Sequence, residues 1–233
     1  MAVTVRVVSY NIRSLRDDPD AVARVVRALR PDVLCLQEVP RFATWWWQRR
    51  RLARACGMRI AAGRRACGLA VFTAPHVQRV AREFALLSRV PDLHRRALAL
   101  AVLQVDGAPL IAASTHLDLE DEPRLRHVGE VLARLERAKA RHRAPLVLTG
   151  DINEEPHGPA WRRLATRFQD AHAIAPDGDS FTFSAMEPVR RIDGVFADKG
   201  IHVQGCGVPT TPELLADYPK ATDHRPVLAT LRL

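Results

Sequence analysis

With 233 residues the chain can form one α/β domain with a sizeable core, so no division is required. Hydrophobic residues at 47% and charged residues at 26% exclude a disordered or fibrous chain, and no apolar run approaches the roughly 18 residues of a membrane span. A formal net charge of +9 suits an anionic partner such as nucleic acid or a lipid headgroup. Only three of the 35 basic residues are lysines, however, an arginine skew that a GC-rich genome also produces, so the charge is a footprint only where it clusters.

In chain order, Val3 to Tyr10 is rich in β-branched residues and reads as a core strand that delivers Asn11 at its end. Asp18-Pro19 opens a helix, with Ala21, Val22, Val25, Val26 and Leu29 on one face and Pro31 as its stop. Val33 to Leu36 is a second buried strand, with Gln37-Glu38 at its carboxyl end. Arg41 to Ala55 has a helical pattern. Its Trp45-Trp46-Trp47 spans most of the circumference, so at least one indole should be exposed, and Arg49, Arg50, Arg51 and Arg54 would then complete a basic, aromatic patch for nucleic acid or peripheral lipid contact.

Four strands are expected at Met58 to Ala62, Gly68 to Thr73, Val77 to Leu86 and Ala97 to Val105; Asp106-Gly107 then turns the chain into Pro109 to Leu117, with His116 near its end. Pro123 to His142 is a long amphipathic helix whose arginines form a solvated face. The run Pro145 to Leu148 is a buried strand leading into Gly150-Asp151-Ile152-Asn153, where Gly150 permits backbone geometry closed to other residues. In extended chain Asp151 and Asn153 would point the same way, as suits a hard metal ion and a phosphate; the alternative is a turn in which these side chains bond their own backbone. A helix follows from Pro159 to Arg167, then strands near Phe181 to Ser184, Arg191 to Ala197 and Ile201 to Val208. Thr222-Asp223-His224 leads into the last strand, Val227 to Leu231. The four cysteines have no C-x-x-C spacing and are expected to be reduced structural thiols, without zinc. Met1 to Val8 lacks the order of a secretory signal, so a cytoplasmic protein is expected.

Six segments share one grammar, an apolar strand followed by polar residues: Ser9-Tyr10-Asn11, Leu36-Gln37-Glu38, Ser114-Thr115-His116, Gly150-Asp151-Ile152-Asn153, Arg191-Ile192-Asp193 and Thr222-Asp223-His224. Groups at strand ends gather on one rim of an α/β sheet, where sites are built. The ordered set resembles the endonuclease/exonuclease/phosphatase superfamily of metal-dependent phosphoesterases, over Val5 to Val227. The resemblance implies a four-layer α-β-β-α sandwich of two packed mixed sheets flanked by helices, in one domain over residues 1–233, expected to be monomeric.

It also implies roles. Glu38 would bind Mg²⁺ or Mn²⁺ with Asn11 and Asp223 nearby; Asp151 would orient or deprotonate the attacking water, or act through a second metal, and Asn153 would hold the water or phosphate. His224, oriented by Asp193, would touch the phosphoryl oxygens; His116 would be a second phosphate donor or the leaving-group acid. Arg95 matches a phosphate-contacting arginine, with Arg96 as the alternative. The abasic-site branch is disfavoured, since it carries asparagine at the His116 position. No acid in Arg65 to Leu69 partners His116 as in the deoxyribonucleases. The substrate expected first is nucleic acid, then a phospholipid, inositol phosphate or other small phosphoester, and last a binding module without catalysis. A serine hydrolase is disfavoured by the lack of a G-x-S-x-G elbow.

Overall fold

The computed structural model describes residues 2–233. The first half of the chain runs β1 (Thr4–Asn11), α1 (Pro19–Leu29), β2 (Val33–Gln37), α2 (Trp45–Ala55), β3 (Arg59–Gly63), β4 (Ala70–Thr73), β5 (Gln78–Leu86) and β6 (Ala97–Val105). Then come β7 (Ala108–His116), α3 (Asp121–His142), β8 (Leu146–Asp151), α4 (Pro159–Arg167), β9 (Gln169–Asp170) and α5 (Ala171–Ile174). The chain closes with β10 (Asp193–Ala197), β11 (His202–Gly207), α6 (Pro212–Ala221) and β12 (Val227–Arg232). They form two six-stranded sheets, ordered β11-β12-β1-β2-β4-β3 and β5-β6-β7-β8-β10-β9. Each sheet is antiparallel except for one central parallel pair, β1/β2 in the first and β7/β8 in the second.

Side-chain alternation builds the layers. In β1, Val5 and Val7 face the other sheet, whereas Val8 and Tyr10 face the helices. In β6, Ala101, Leu103 and Val105 enter the inter-sheet core, and Leu98, Leu100 and Val102 pack beneath α3 and α4. Helices α1, α2 and α6 cover the first sheet, completing the expected α-β-β-α sandwich. The close approach of β7 and β8 depends on Gly150. Backbone freedom is not its role, since its φ is ordinary; what matters is that a Cβ there would collide with the Thr115 carbonyl oxygen.

Several boundaries shift for physical reasons. Helix α2 starts at Trp45 rather than Arg41, because Ala43 adopts a left-handed φ of 39°. Strand β4 starts at Ala70 rather than Gly68, since Cys67 and Gly68 are both left-handed. Phe181 to Ser184 makes only isolated bridges, from Phe183 to Arg190 and to His224. Helix α6 has no counterpart in the sequence reading; Pro219 lies inside it, but Leu214, Tyr218 and Ala221 are buried against α1 and hold it in place. On α3, Arg124 leaves the solvated face: it is buried, paired with Glu154 and Asp121, and donates to the Asp118 and Leu119 carbonyls.

Replacing Gly150 with alanine forces β7 and β8 apart, and we expect a loss of about 3 kcal/mol. Urea denaturation of Gly150→Ala checks this, and an unshifted midpoint would refute the steric account.

Candidate active site

The parallel pairs carry their carboxyl ends to one rim. Asn11 pairs in register with Gln37, and His116 with Asp151. The antiparallel neighbour β10 brings its first residue, Asp193, opposite Asp151. His224 arrives on the turn before β12 and is bridged to Phe183, whose ring centroid lies 5.0 Å from the imidazole.

At the centre, the Asn11 side-chain amide donates to Glu38 Oε1 at 3.1 Å and to Asp151 Oδ2 at 3.0 Å. Its own oxygen accepts from the Arg13 N–H at 3.1 Å, which fixes the amide's orientation. Glu38 has a left-handed φ of 50°, and among the described residues no basic side chain pairs with its carboxylate. His116 Nε2 is 3.5 Å and His224 Nε2 3.7 Å from Asp151 Oδ2, so both imidazoles converge on one carboxylate. His224 Nδ1 donates to Asp193 Oδ2 at 2.8 Å, and Asp193 is positioned in turn by Thr182, whose hydroxyl oxygen accepts from the Ile192 and Asp193 N–H groups. The partner that His116 lacks at Arg65 to Leu69 is thus Asp151 itself.

The two imidazoles have opposite electrostatic fates. Burial pushes His116 down to about 3, opposed by Asp151 and assisted by the charges of Arg96 and His224. Burial also pulls His224 down, but Asp193 and Asp151 together outweigh it and raise it to about 10. His224 is therefore an imidazolium and His116 a neutral ring. Desolvation and neighbouring Asp193 raise Asp151, while the two histidines and the Asn11 amide counter them.

Two predicted residues stand apart from this centre. Asn153 is left-handed at φ 55° and does not point with Asp151: its amide donates to the Leu117 carbonyl and its N–H to Asp151 Oδ1, so the self-bonded turn is what forms, although Asn153 still lines the cavity. Asp223 sits beside Asn11 through the Thr222 hydroxyl but faces Arg13, 3.4 Å away.

A cavity of about 360 Å³ opens over the centre, lined by Glu38, Asp151, His116 and His224 together with Arg16, Arg41, Arg95 and Arg96. Arg96 Nε donates to buried Asp118 at 3.0 Å, and Asp118 is also 3.0 Å from His127 Nδ1. Sequence reasoning missed Asp118, whose only signal was its place two residues after His116. Phe42, Trp46 and Trp47 are 67%, 51% and 50% exposed, and each has an arginine over its ring. Arg49 does not belong to the exposed patch: it is buried, donating to the Pro40 and Arg64 carbonyls.

Two mixed sheets with polar strand ends gathered on one rim define the sandwich architecture that the motifs anticipated. The sequence pattern of the Endonuclease/Exonuclease/phosphatase family matches residues 8–224, and the chain belongs to that family. No curated protein matches it. Among solved structures it is similar to an endonuclease/exonuclease/phosphatase family protein from Bacteroides thetaiotaomicron (18% identity, 100% of this chain and 96% of that one, TM-score 0.84). It also resembles a mannosyl-6-phosphatase of the same species (19%, 97% and 99%, TM-score 0.82) and the human nocturnin catalytic domain solved with a sulfate anion (18%, 99% and 96%, TM-score 0.76). At these identities the likeness is one of fold. No helix among the described residues is long and apolar enough to cross a membrane.

Asp118 is buried against the Arg96 guanidinium and the His127 ring, so Asp118→Ala leaves Arg96 without its counter-charge, and we expect a loss of about 3 kcal/mol. Denaturation of the variant against the parent protein tests this; equal stability would show that Asp118 is not a structural counter-ion.

Proposed function

We propose that the chain is a divalent-metal-dependent phosphoester hydrolase, with a nucleic-acid phosphodiester as its favoured substrate. The observation that carries this is a carboxylate without a basic partner, Glu38, held with Asp151 around the Asn11 amide and faced by charged His224. Such an oxygen-rich set fits Mg²⁺ or Mn²⁺, with Glu38 as direct ligand and Asn11 and Asp223 adjoining. Asp151, Asp193 and His224 lie within 4.8 Å of one another. We assign them to proton and phosphate handling because His224 is charged and its Nδ1 is engaged by Asp193, which leaves no lone pair for a cation.

When bound, the cation supplies polarisation of the phosphoryl oxygens and a more acidic water. The side chains do the rest. Asp151 accepts the proton of the attacking water, its basicity raised by burial. Asn153 borders the water's position. His224, oriented by Asp193, donates to a non-bridging oxygen and offsets the developing negative charge. Neutral His116 donates a hydrogen bond to the phosphoryl group rather than acting as a strong acid. Of the two arginines left open by the sequence, we assign Arg96 to the scissile phosphate, because Asp118 holds it in the cavity and its charge acts on His116.

A second reading keeps the chemistry and changes the substrate. Phe42, Trp46 and Trp47 are large exposed rings on one segment, which suits an anionic lipid surface. Plasmid, oligonucleotides, liposomes and bis-(p-nitrophenyl) phosphate, assayed with Mg²⁺ or Mn²⁺ and with chelator, separate the two. Cleavage of nucleic acid that chelator abolishes is expected; turnover of lipid alone would favour the second reading, and metal-independent turnover would overturn both. Glu38→Ala and Asp151→Ala should each lower turnover by at least about 10²-fold, and Asp193→Asn by about 10- to 100-fold. Preserved rates in these variants would remove the assigned roles.

A further inference from the structure

The roles assigned above leave one proton unaccounted for. Asp151 takes the proton of the attacking water, while His224 and His116 donate to oxygens that stay on phosphorus, so the oxygen that departs has no donor. A positioned acid accelerates the release of a basic leaving group by about 10²- to 10⁴-fold. Among the cavity-lining groups that carry a proton, the guanidiniums hold theirs too tightly to release it. Burial raises the Cys67 thiol above its ordinary range, which weakens it as an acid, and a serine hydroxyl such as that of Ser14 is weaker still. That leaves His94, whose imidazole lines the same cavity and stands close enough for its charge to act on His116. His94 is exposed, and among the described residues its ring joins no hydrogen bond or ion pair. Histidine is the side chain suited to exchanging protons near neutral pH.

The segment that carries His94 is held at both ends. The Leu87 N–H donates to the Arg96 carbonyl at 3.0 Å, closing the loop between β5 and β6. Helix α3 grips Ser88 through two side chains: the Ser88 N–H donates to Glu130 Oε2 at 2.9 Å, and the Ser88 carbonyl oxygen lies 3.0 Å from His127 Nε2. Arg96, at the far end, is tied to Asp118. The backbone turns through Asp92, left-handed at φ 60°, two residues before His94. An anchored loop therefore delivers His94 to the cavity.

Resting on the hydrolase reading above, we propose that His94 is the acid that protonates the leaving oxygen. As the water oxygen bonds to phosphorus, the bond from phosphorus to the leaving oxygen breaks. Its electron pair stays on that oxygen, and a proton passes there from the His94 ring. Asp151 ends the cycle protonated and His94 neutral, and exchange with solvent resets both.

Two phosphodiesters that differ in how much their leaving group needs a proton test this. Diphenyl phosphate releases the more basic phenolate, and bis-(p-nitrophenyl) phosphate the weakly basic p-nitrophenolate. With Mg²⁺ or Mn²⁺, His94→Ala and His94→Gln should lower kcat/KM for diphenyl phosphate at least about tenfold more than for the nitrophenyl ester. Added imidazole should restore diphenyl phosphate turnover in His94→Ala, an effect that a structural role would not produce. His116→Ala removes a hydrogen bond made to both esters and should slow the two by similar factors. An equal loss on both esters in the His94 variants, or no loss, overturns the assignment and leaves the hydrolase reading standing. Failure of the parent protein to cleave either ester also overturns the assignment, and the hydrolase reading is then judged on the nucleic-acid and lipid substrates named above.

Discussion

One amide joins the two halves of the molecule at the point where its chemistry lies. Asn11 ends β1 in the first sheet and donates to Asp151 at the end of β8 in the second, across 140 positions of sequence. Behind it, Gln37 Nε2 donates to Ser114 Oγ at 2.9 Å, and Ser114 donates to the Leu36 carbonyl, forming a second buried polar link between the sheets. The inter-sheet core around them is built mainly from apolar side chains, which alone would tolerate sliding of one sheet over the other. Two directional links of this kind fix the register, and with it the separation of Glu38 from Asp151. Buried polar contacts are costly when unsatisfied, so a displaced alignment is penalised more than hydrophobic packing alone would penalise it.

The convergence follows from topology. Each sheet has one parallel pair at its centre, and parallel strands deposit their carboxyl ends on the same rim. Antiparallel neighbours reach that rim with their amino ends, which is why Asp193 stands at the start of β10 and His224 just before β12. Six segments scattered from Asn11 to His224 can therefore meet without long loops. The rim also gathers charge of both signs: one cavity is lined by Glu38 and Asp151 and by Arg16, Arg41 and Arg95, which pair with no carboxylate among the described residues. Other arginines are used elsewhere, Arg124 under α3 and Arg191 against Asp170, so net charge alone is a poor guide to where an anion would bind.

Strands and their polar ends are legible in the sequence because period-two apolar runs and abrupt polar terminations are local signals. Asn11, Glu38, His116, Asp151, Asp193 and His224 can all be picked out in this way. What escapes depends on three-dimensional partners. Asp118 looks like an ordinary loop acid until Arg96 and His127 close on it, and Arg49 looks like a surface charge until the Pro40 and Arg64 carbonyls accept from it. Helix α6 is hidden by Pro219, since tertiary burial of Tyr218 outweighs the local penalty. Asn153 departs from the direction that extended chain would give it because β8 ends at Asp151, and the backbone turns before Asn153 is reached.

The turn at Asn153 belongs to a pattern along the rim. Glu38, Cys67 and Asn153 all carry left-handed backbone, as do Arg13, Ser14 and Leu15. Such conformations cost on the order of 1 kcal/mol each for residues with a side chain, and they persist only where neighbours over-determine them. Here the neighbours are visible: the Ser14 N–H donates to the Glu38 carbonyl at 2.6 Å, the Val39 N–H to Gly68, and the Asn153 amide to Leu117. These contacts clamp each strand exit to the next, so the turns hold one another in place around the cavity. Side chains leaving such a rim have little freedom to reorganise when an anion arrives. Fixed dipoles and charges that need no reorganisation stabilise developing charge best, which gives the strain a purpose at this edge of the sandwich.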